Sequence, residues 1–155
     1  MHKPLEEILN IDMRGKNILI IGEPTSGKTW LCEQIEDAGH LTIHTDSYKD
    51  FGYERSLYEL MRDITDYQQP TMIEGILGYR LLRKGQELGI YKADIVIICE
   101  TTPEKQAEIY MRERDQSKIK YMPSLKKGLK TIFNEFKEMT PKEDWPEFIT
   151  FNNNY

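Results

Sequence analysis

The chain has 155 residues, of which 39% are hydrophobic and 30% charged, with a formal net charge of -5. That length holds about one ordinary domain with one sizeable core. The balance excludes a disordered tail and a disulfide scaffold, and no apolar run approaches the roughly 18–20 residues of a membrane-spanning helix.

The acidic total argues against a broad electrostatic grip on duplex nucleic acid, while leaving room for a local basic patch. Glu6, Glu7 and Asp12, without an apolar signal core, predict no secretory leader. Cys32 and Cys99 lack metal-ligand spacing, so a cytoplasmic location with reduced thiols is expected.

Residues 1–15 read as a short amphipathic lead-in, with Leu5, Ile8, Leu9 and Met13 placed to cover a sheet edge. Asn17 to Ile21 is a continuous apolar run ended by Gly22, as in a strand buried on both faces of a parallel sheet. From Lys28 to Ala38 the period becomes helical, with Leu31, Ile35 and Ala38 on one face and Gly39 as the stop. Leu41 to His44 is a second short strand, followed by polar Thr45-Asp46-Ser47. Tyr53 to Tyr67 is predicted helical, with Leu57, Leu60, Met61 and Ile64 at i, i+3, i+4 and i+7. Thr71 to Ile73 forms a third strand, closed by Glu74-Gly75.

Tyr79 to Leu88 is a further predicted helix, and Ala93 to Cys99 a fourth strand. Thr102-Pro103 combines a helix cap with proline at the first helical position, opening a helix to about Arg114. Ser124 to Met139 is helical, with Leu125, Leu129, Ile132, Phe133 and Phe136 inward. Phe148 to Phe151 is a fifth strand. Alternating strands and helices predict parallel βαβ units: a three-layer α/β/α fold around a five-stranded, mainly parallel sheet. No repeat or linker interrupts it, so residues 1–155 are expected to form one domain.

Gly22-Glu23-Pro24-Thr25-Ser26-Gly27-Lys28-Thr29 matches G-x-x-x-x-G-K-[ST] without a mismatch. Glycines let the backbone wrap a phosphate, so that successive N–H groups point inward as a nest. The helix opening at Lys28 brings its positive end to the same place. Lys28 is placed to reach β and γ phosphates, and the Thr29 hydroxyl to hold Mg²⁺. The motif follows an apolar strand and opens a helix, which is the context it requires. Trp30 follows directly and suits packing better than base stacking.

In a parallel sheet, ligands lie beyond the carboxyl ends of the strands. Glu74 ends the third strand and is placed to face the Mg²⁺ region through water, unless it is an ordinary acid before a turn. Asp46 follows the second strand; it is either an acceptor-side base, as phosphoryl transfer needs, or a turn aspartate, and it also lies within reach of the metal region. Tyr48 nearby suits positioning or packing. Arg112 and Arg114, with Asp115, Lys118 and Lys120, either clamp a phosphoryl group in a closing segment or form a solvated helix end. Arg80 and Arg83 either hold an acceptor phosphate or line an exposed helix face. His40 and His44 flank the second strand without a partner at ligand spacing, and Trp145 is a candidate neighbour for adenine that no pattern requires.

This constellation resembles the small phosphate-loop kinases of the nucleoside and nucleoside-monophosphate kinase group, the uridine-kinase-like enzymes in particular. The resemblance rests on Gly22–Thr29, on Thr45-Asp46-Ser47-Tyr48-Lys49-Asp50, on Ile73-Glu74-Gly75 and on Arg112-x-Arg114-Asp115. It implies a phosphate-loop NTPase fold with a lid near residues 110–122, and ATP and Mg²⁺ as cofactors. By position it implies Lys28 and Thr29 on phosphate and Mg²⁺, Asp46 as base, Glu74 orienting metal-bound water, and Arg112 and Arg114 as a clamp. Glu74, Tyr48, Arg80 and Arg83 would border the acceptor. The chain is shorter than most such kinases, and the lid lacks a further arginine.

The expected activity is ATP-dependent phosphoryl transfer to a small nucleoside- or nucleotide-like acceptor, with no membrane partner. Two alternatives stay open. A kinase of a 5′-hydroxyl nucleic-acid end would use Lys118, Lys120, Lys126, Lys127 and Lys130 as its channel. An acceptor-free ATPase or nucleotide-binding regulatory protein would have no use for a base at Asp46.

Overall fold

Backbone N–H and C=O groups stripped of water need partners, and the apolar runs find theirs in one another. The computed structural model describes residues 3–35, 39–67, 69–113 and 122–152. Its strands are β1 (Ile18–Gly22), β2 (Leu41–His44), β3 (Thr71–Glu74), β4 (Ile95–Glu100) and β5 (Glu147–Asn152). They form one five-stranded sheet in the order β2-β3-β1-β4-β5, parallel at every pairing.

Six α-helices among the described residues accompany the sheet: α1 (Leu5–Leu9), α2 (Lys28–Ile35), α3 (Tyr53–Thr65), α4 (Leu77–Leu88), α5 (Pro103–Glu113) and α6 (Met122–Met139). Alternate side chains of each strand serve opposite faces, so two cores form. On one face Leu19, Ile21, Ile73 and Val96 meet Leu57, Leu60 and Ile64 of α3, Leu81 of α4 and Phe136 of α6. On the other, Ile18, Ile20, Met72, Ile95 and Ile97 meet Ile8 of α1 and Leu31 and Ile35 of α2. Because both faces are covered, every residue of β1 and β3 is buried. That is why these runs are continuous rather than alternating. No described helix is long and apolar enough to cross a membrane.

The element boundaries differ from the sequence expectation for local reasons. β4 opens at Ile95 rather than Ala93, because Asp94 is locked to Asn17. The Asn17 N–H donates to Asp94 Oδ2 at 2.7 Å, and the Asp94 N–H donates to the Asn17 carbonyl at 2.9 Å. The segment Thr45–Phe51 is a 3₁₀ helix where only a polar turn was expected; Ser47 Oγ donates to the His44 carbonyl at 2.9 Å at its start. In the lead-in, Ile8 and Met13 are buried against a sheet face, whereas Leu9 is exposed. Lys3 reaches the edge strand β5, donating its N–H to the Thr150 carbonyl at 2.9 Å.

α4 begins at Leu77, before the expected Tyr79, and its Gly78 lies on β1. A Cβ there would come within 2.9 Å of both Ile21 Cγ2 and Leu19 Cδ1, two fully buried side chains. Helix and strand therefore approach at a distance only glycine allows. Gly78→Val is expected to cost about 1–3 kcal/mol through overpacking, lowering the thermal midpoint by roughly 2–10 °C. A calorimetric melt checks this, and an unchanged midpoint would show that the α4–β1 contact is looser than described.

Candidate active site

The sheet order makes the chain leave β1 toward β2 and leave β4 toward β5, so a crevice opens at the carboxyl ends beside β1. The loop 22–27 lies there. A Cβ on Gly22 would meet Ser26 Oγ at 2.5 Å and the Cys99 carbonyl at 2.6 Å, so that position has no room for a side chain. Gly27 has φ 88°, and Thr25 has φ 71°, a conformation that a β-branched residue adopts only under constraint. The Ser26 N–H donates to the Glu23 carbonyl at 3.2 Å, and Lys28 Nζ donates to the same carbonyl at 2.8 Å. Thr25 Oγ1 and Ser26 Oγ are both buried with no hydrogen-bond partner among the described residues. Two dry hydroxyls inside a glycine-rich loop at a helix N-terminus suit the oxygens of a phosphate.

Glu74 is 5% exposed. Thr29 Oγ1 donates to its Oε2 at 2.9 Å, and His44 Nδ1 lies 2.6 Å from the same oxygen. The same carboxylate oxygen therefore meets both the Thr29 hydroxyl and the His44 ring nitrogen. Strand register produces this meeting: His44 and Glu74 are the paired last residues of β2 and β3, and Ile20 pairs with Glu74 from the other side. His44 thus has the partner that its sequence context did not reveal. Equal four-residue strands that both end on a polar residue were the available signal. Next to this group Gly75, at φ 134°, packs so closely on Thr45 that a Cβ would overlap its side chain.

Two clefts meet over these residues. One, of about 280 Å³, is lined by Pro24, Thr25, Gly27, Lys28, Thr29, Trp30, Asp46, Glu74, Gly75 and Ile76. The other, of about 410 Å³, is lined by Thr45, Asp46, Tyr48, Gly52, Tyr53, Ser56, Ile76 and Leu77. Asp46 and Ile76 belong to both. The exposed Asp46 carboxylate therefore stands on the border between the phosphate loop and the neighbouring cleft. Trp30 borders the loop cleft while stacking on Phe151, with ring centroids 6.4 Å apart and planes 12° apart. Tyr48 lines the larger cleft, but its hydroxyl donates to Asp63 Oδ2 at 2.6 Å; burial and that bond push its pKa up. Its carbonyl accepts from Ser56 Oγ.

Arg83 Nη1 lies 2.6 Å from Glu135 Oε2, tying α4 to α6. Arg80 instead places its guanidinium 4.5 Å from the ring centroid of Tyr53, a wall of the larger cleft. The two arginines therefore do not act as one pair. Arg112 is exposed in the last turn of α5, 3.9 Å from Glu108. Arg114, Asp115, Lys118 and Lys120 lie outside the described residues, as does most of the expected lid. Trp145 precedes β5 and so lies at the amino edge of the sheet, far from the loop. Its Nε1–H donates to the Thr140 carbonyl at 2.9 Å and its ring packs on Phe148. His40 is at that edge too, with Nε2 2.7 Å from the Lys16 carbonyl.

A third cleft, of about 420 Å³, opens beside Glu23 between β4 and α6, where Lys126 and Lys130 face Glu23 and Glu100. Lys126 Nζ is 3.8 Å from Glu23 Oε2, so one of the five lysines expected to form a basic channel is paired with an acid; Lys118 and Lys120 lie outside the described residues. Cys99 borders this cleft with 2% of its surface exposed. Burial pushes its thiol up to about 12, so the neutral, unreactive form prevails until strongly alkaline pH. Cys32 is buried as well. Iodoacetamide at pH 8 is expected to label the folded protein far more slowly than the denatured chain; free-thiol rates in the native state would contradict this burial.

One further residue, Gln106 of α5, contacts the loop, its Nε2 donating to the Pro24 carbonyl at 2.8 Å. Nothing in the sequence separates it from the other polar residues of that helix.

No known family model matches the sequence, and no curated protein sequence does. Among solved structures, a shikimate kinase from Acinetobacter baumannii in complex with shikimate is similar, with a TM-score of 0.59. The two chains are 14% identical, and the match covers 98% of this chain and 89% of that one. The likeness is to a phosphate-loop kinase fold and does not single out the uridine-kinase-like group. The chain has the five-stranded, all-parallel, three-layer α/β architecture of a phosphate-loop NTPase.

Proposed function

We propose that the protein is an ATP-dependent kinase that transfers the γ-phosphoryl group to a hydroxyl of a small, nucleoside-like acceptor. The observation that carries this reading is Asp46, a carboxylate shared by the phosphate-loop cleft and the adjoining 410 Å³ cleft. A nucleotide switch or simple ATPase has no need of a base facing a second cleft. The likeness in fold to a kinase with a small molecule bound agrees with it.

The residues fit an ATP–Mg²⁺ pair. The unpartnered hydroxyls of Thr25 and Ser26 and the backbone of 22–27 receive phosphate oxygens. Lys28, now on the Glu23 carbonyl, would turn to the β and γ phosphates, and Thr29 with Glu74, now hydrogen-bonded to each other, would hold Mg²⁺. Mg²⁺ supplies charge neutralisation on the phosphate oxygens when bound. Asp46 takes the proton of the acceptor hydroxyl as it attacks. Arg112 and Arg114 would complete the phosphoryl clamp.

The acceptor cleft supports an uncharged ring-bearing molecule better than an acid. Tyr48, Tyr53, Ile76 and Leu77 give it aromatic and apolar walls, with Ser56 and Thr45 as its neutral polar groups. Among the described lining residues there is no Lys or Arg; Arg80 reaches it only through Tyr53. A carboxylate or phosphate buried there would meet no partner charge among the described lining residues.

Incubation with γ-labelled ATP and separate nucleosides, nucleoside monophosphates, hydroxy acids and 5′-hydroxyl oligonucleotides is expected to label a nucleoside. Label on oligonucleotides alone would favour the nucleic-acid-end reading. Release of phosphate without any labelled acceptor would favour an ATPase and remove the kinase reading. Lys28→Ala is expected to abolish turnover. Asp46→Asn is expected to bind ATP normally and to slow transfer by about 10²–10⁴, the usual contribution of a general base. An undiminished transfer rate in that variant would take Asp46 out of the chemistry.

A further inference from the structure

The phosphate loop is held in a conformation that its own residues do not favour. Thr25 is β-branched and has φ 71°, directly after a proline whose φ is restricted by its ring. Such a residue persists only where its surroundings over-determine it. The described side-chain ties on the loop carbonyls are Lys28 Nζ to Glu23 at 2.8 Å and Gln106 Nε2 to Pro24 at 2.8 Å. The first must be given up when Lys28 turns to a phosphate. The second need not be, because Gln106 approaches the loop from α5.

Gln106 is fixed at its other end as well. It is 3% exposed, and its N–H donates to the Thr102 carbonyl at 2.9 Å. Thr102 Oγ1 accepts the Lys105 N–H at 3.1 Å and so caps the first turn of α5. That turn follows directly on β4, whose Cys99 pairs with Gly22, the first residue of the loop motif. Sheet, cap and glutamine thus form a closed brace around Pro24 and Thr25. A buried primary amide contributes here a donor of fixed direction and no charge that would compete with the phosphates.

We propose that Gln106 is a positioning residue for the nucleotide. It turns the Pro24 carbonyl away from the phosphate site, so that the N–H groups of the following residues face it, and it links the bound loop to the helix that leads into residues 114–121. This inference rests on the phosphate loop binding a nucleotide, and it does not need the acceptor assignment.

Gln106→Met keeps length and loses the donor; Gln106→Glu keeps length and sets an anion against a carbonyl. Both are expected to melt within a few degrees of the unchanged protein. ADP with Mg²⁺, titrated calorimetrically, is expected to bind about tenfold more weakly to each. The KM for ATP should rise by the same factor while the KM for the acceptor stays constant. Equal ADP affinity in Gln106→Met, or equal rises in both KM values, would overturn the proposal. Should both variants fail to fold, exchange of the Gln106 side-chain amide hydrogens in the unchanged protein decides. Slow exchange with and without ADP supports the brace, and fast exchange overturns it. Absence of ADP binding by the folded, unchanged protein would defeat the phosphate-loop reading first, and this proposal with it. ADP binding without any phosphoryl transfer would defeat only the kinase reading.

Discussion

The arrangement depends on one buried carboxylate. Glu74 is nearly inaccessible to water, and an ionised group in that position is tolerated only if its lone pairs are matched. Thr29 from α2 and His44 from β2 supply those bonds to a single oxygen. Hydrogen bonds to charged groups contribute about 1.5–3 kcal/mol each, so the junction both fastens three elements and fixes where the carboxylate points. It fixes the start of α2 as well, and therefore the exit of the phosphate loop. Thr29 and Glu74 both line the cleft beside the phosphate loop.

Around that junction the packing tolerances are narrow. Gly22 lies against Cys99 and Ser26, Gly75 against Thr45, and Gly78 against Leu19 and Ile21. Each close approach draws a loop or helix onto the carboxyl edge of the sheet. Two clefts adjoin there and share Asp46 and Ile76. The loop in turn carries an unfavourable threonine conformation, which the sheet and α5 hold in place. An enzyme that must receive phosphate oxygens without rearranging gains from such preorganisation.

Much of this was legible in the sequence, because the strongest signals were also the most constrained. Continuous apolar runs reported strands buried on both faces, and the loop motif reported the carboxyl end of β1. The local basic patch that the net charge of -5 leaves room for is not simply readable from the order of the lysines. Lys126 and Lys130 are interleaved with Glu23 and Glu100 in space, which linear order does not reveal. Contacts set by register or by helix rotation were equally hidden. His44 meets Glu74 only because β2 and β3 align end to end, and Gln106 reaches Pro24 across 82 positions of chain. Arg80 and Arg83 are three apart, close enough to read as a pair. Packing of α4 against α6 sends one to Glu135 and leaves the other over Tyr53. Trp145 lies away from the loop for a related reason: in a parallel sheet, a residue before a strand and a residue after one lie at opposite edges.

The most direct test of the Glu74 junction is the Mg²⁺ dependence of nucleotide binding. A non-hydrolysable ATP analogue would be titrated calorimetrically into the unchanged protein and into Glu74→Gln, with Mg²⁺ and with chelator. The account predicts that Mg²⁺ tightens binding to the unchanged protein at least about tenfold and that Glu74→Gln, still folded, loses most of that gain. The same Mg²⁺ dependence in both proteins, or no binding of the analogue to the unchanged protein, would contradict it.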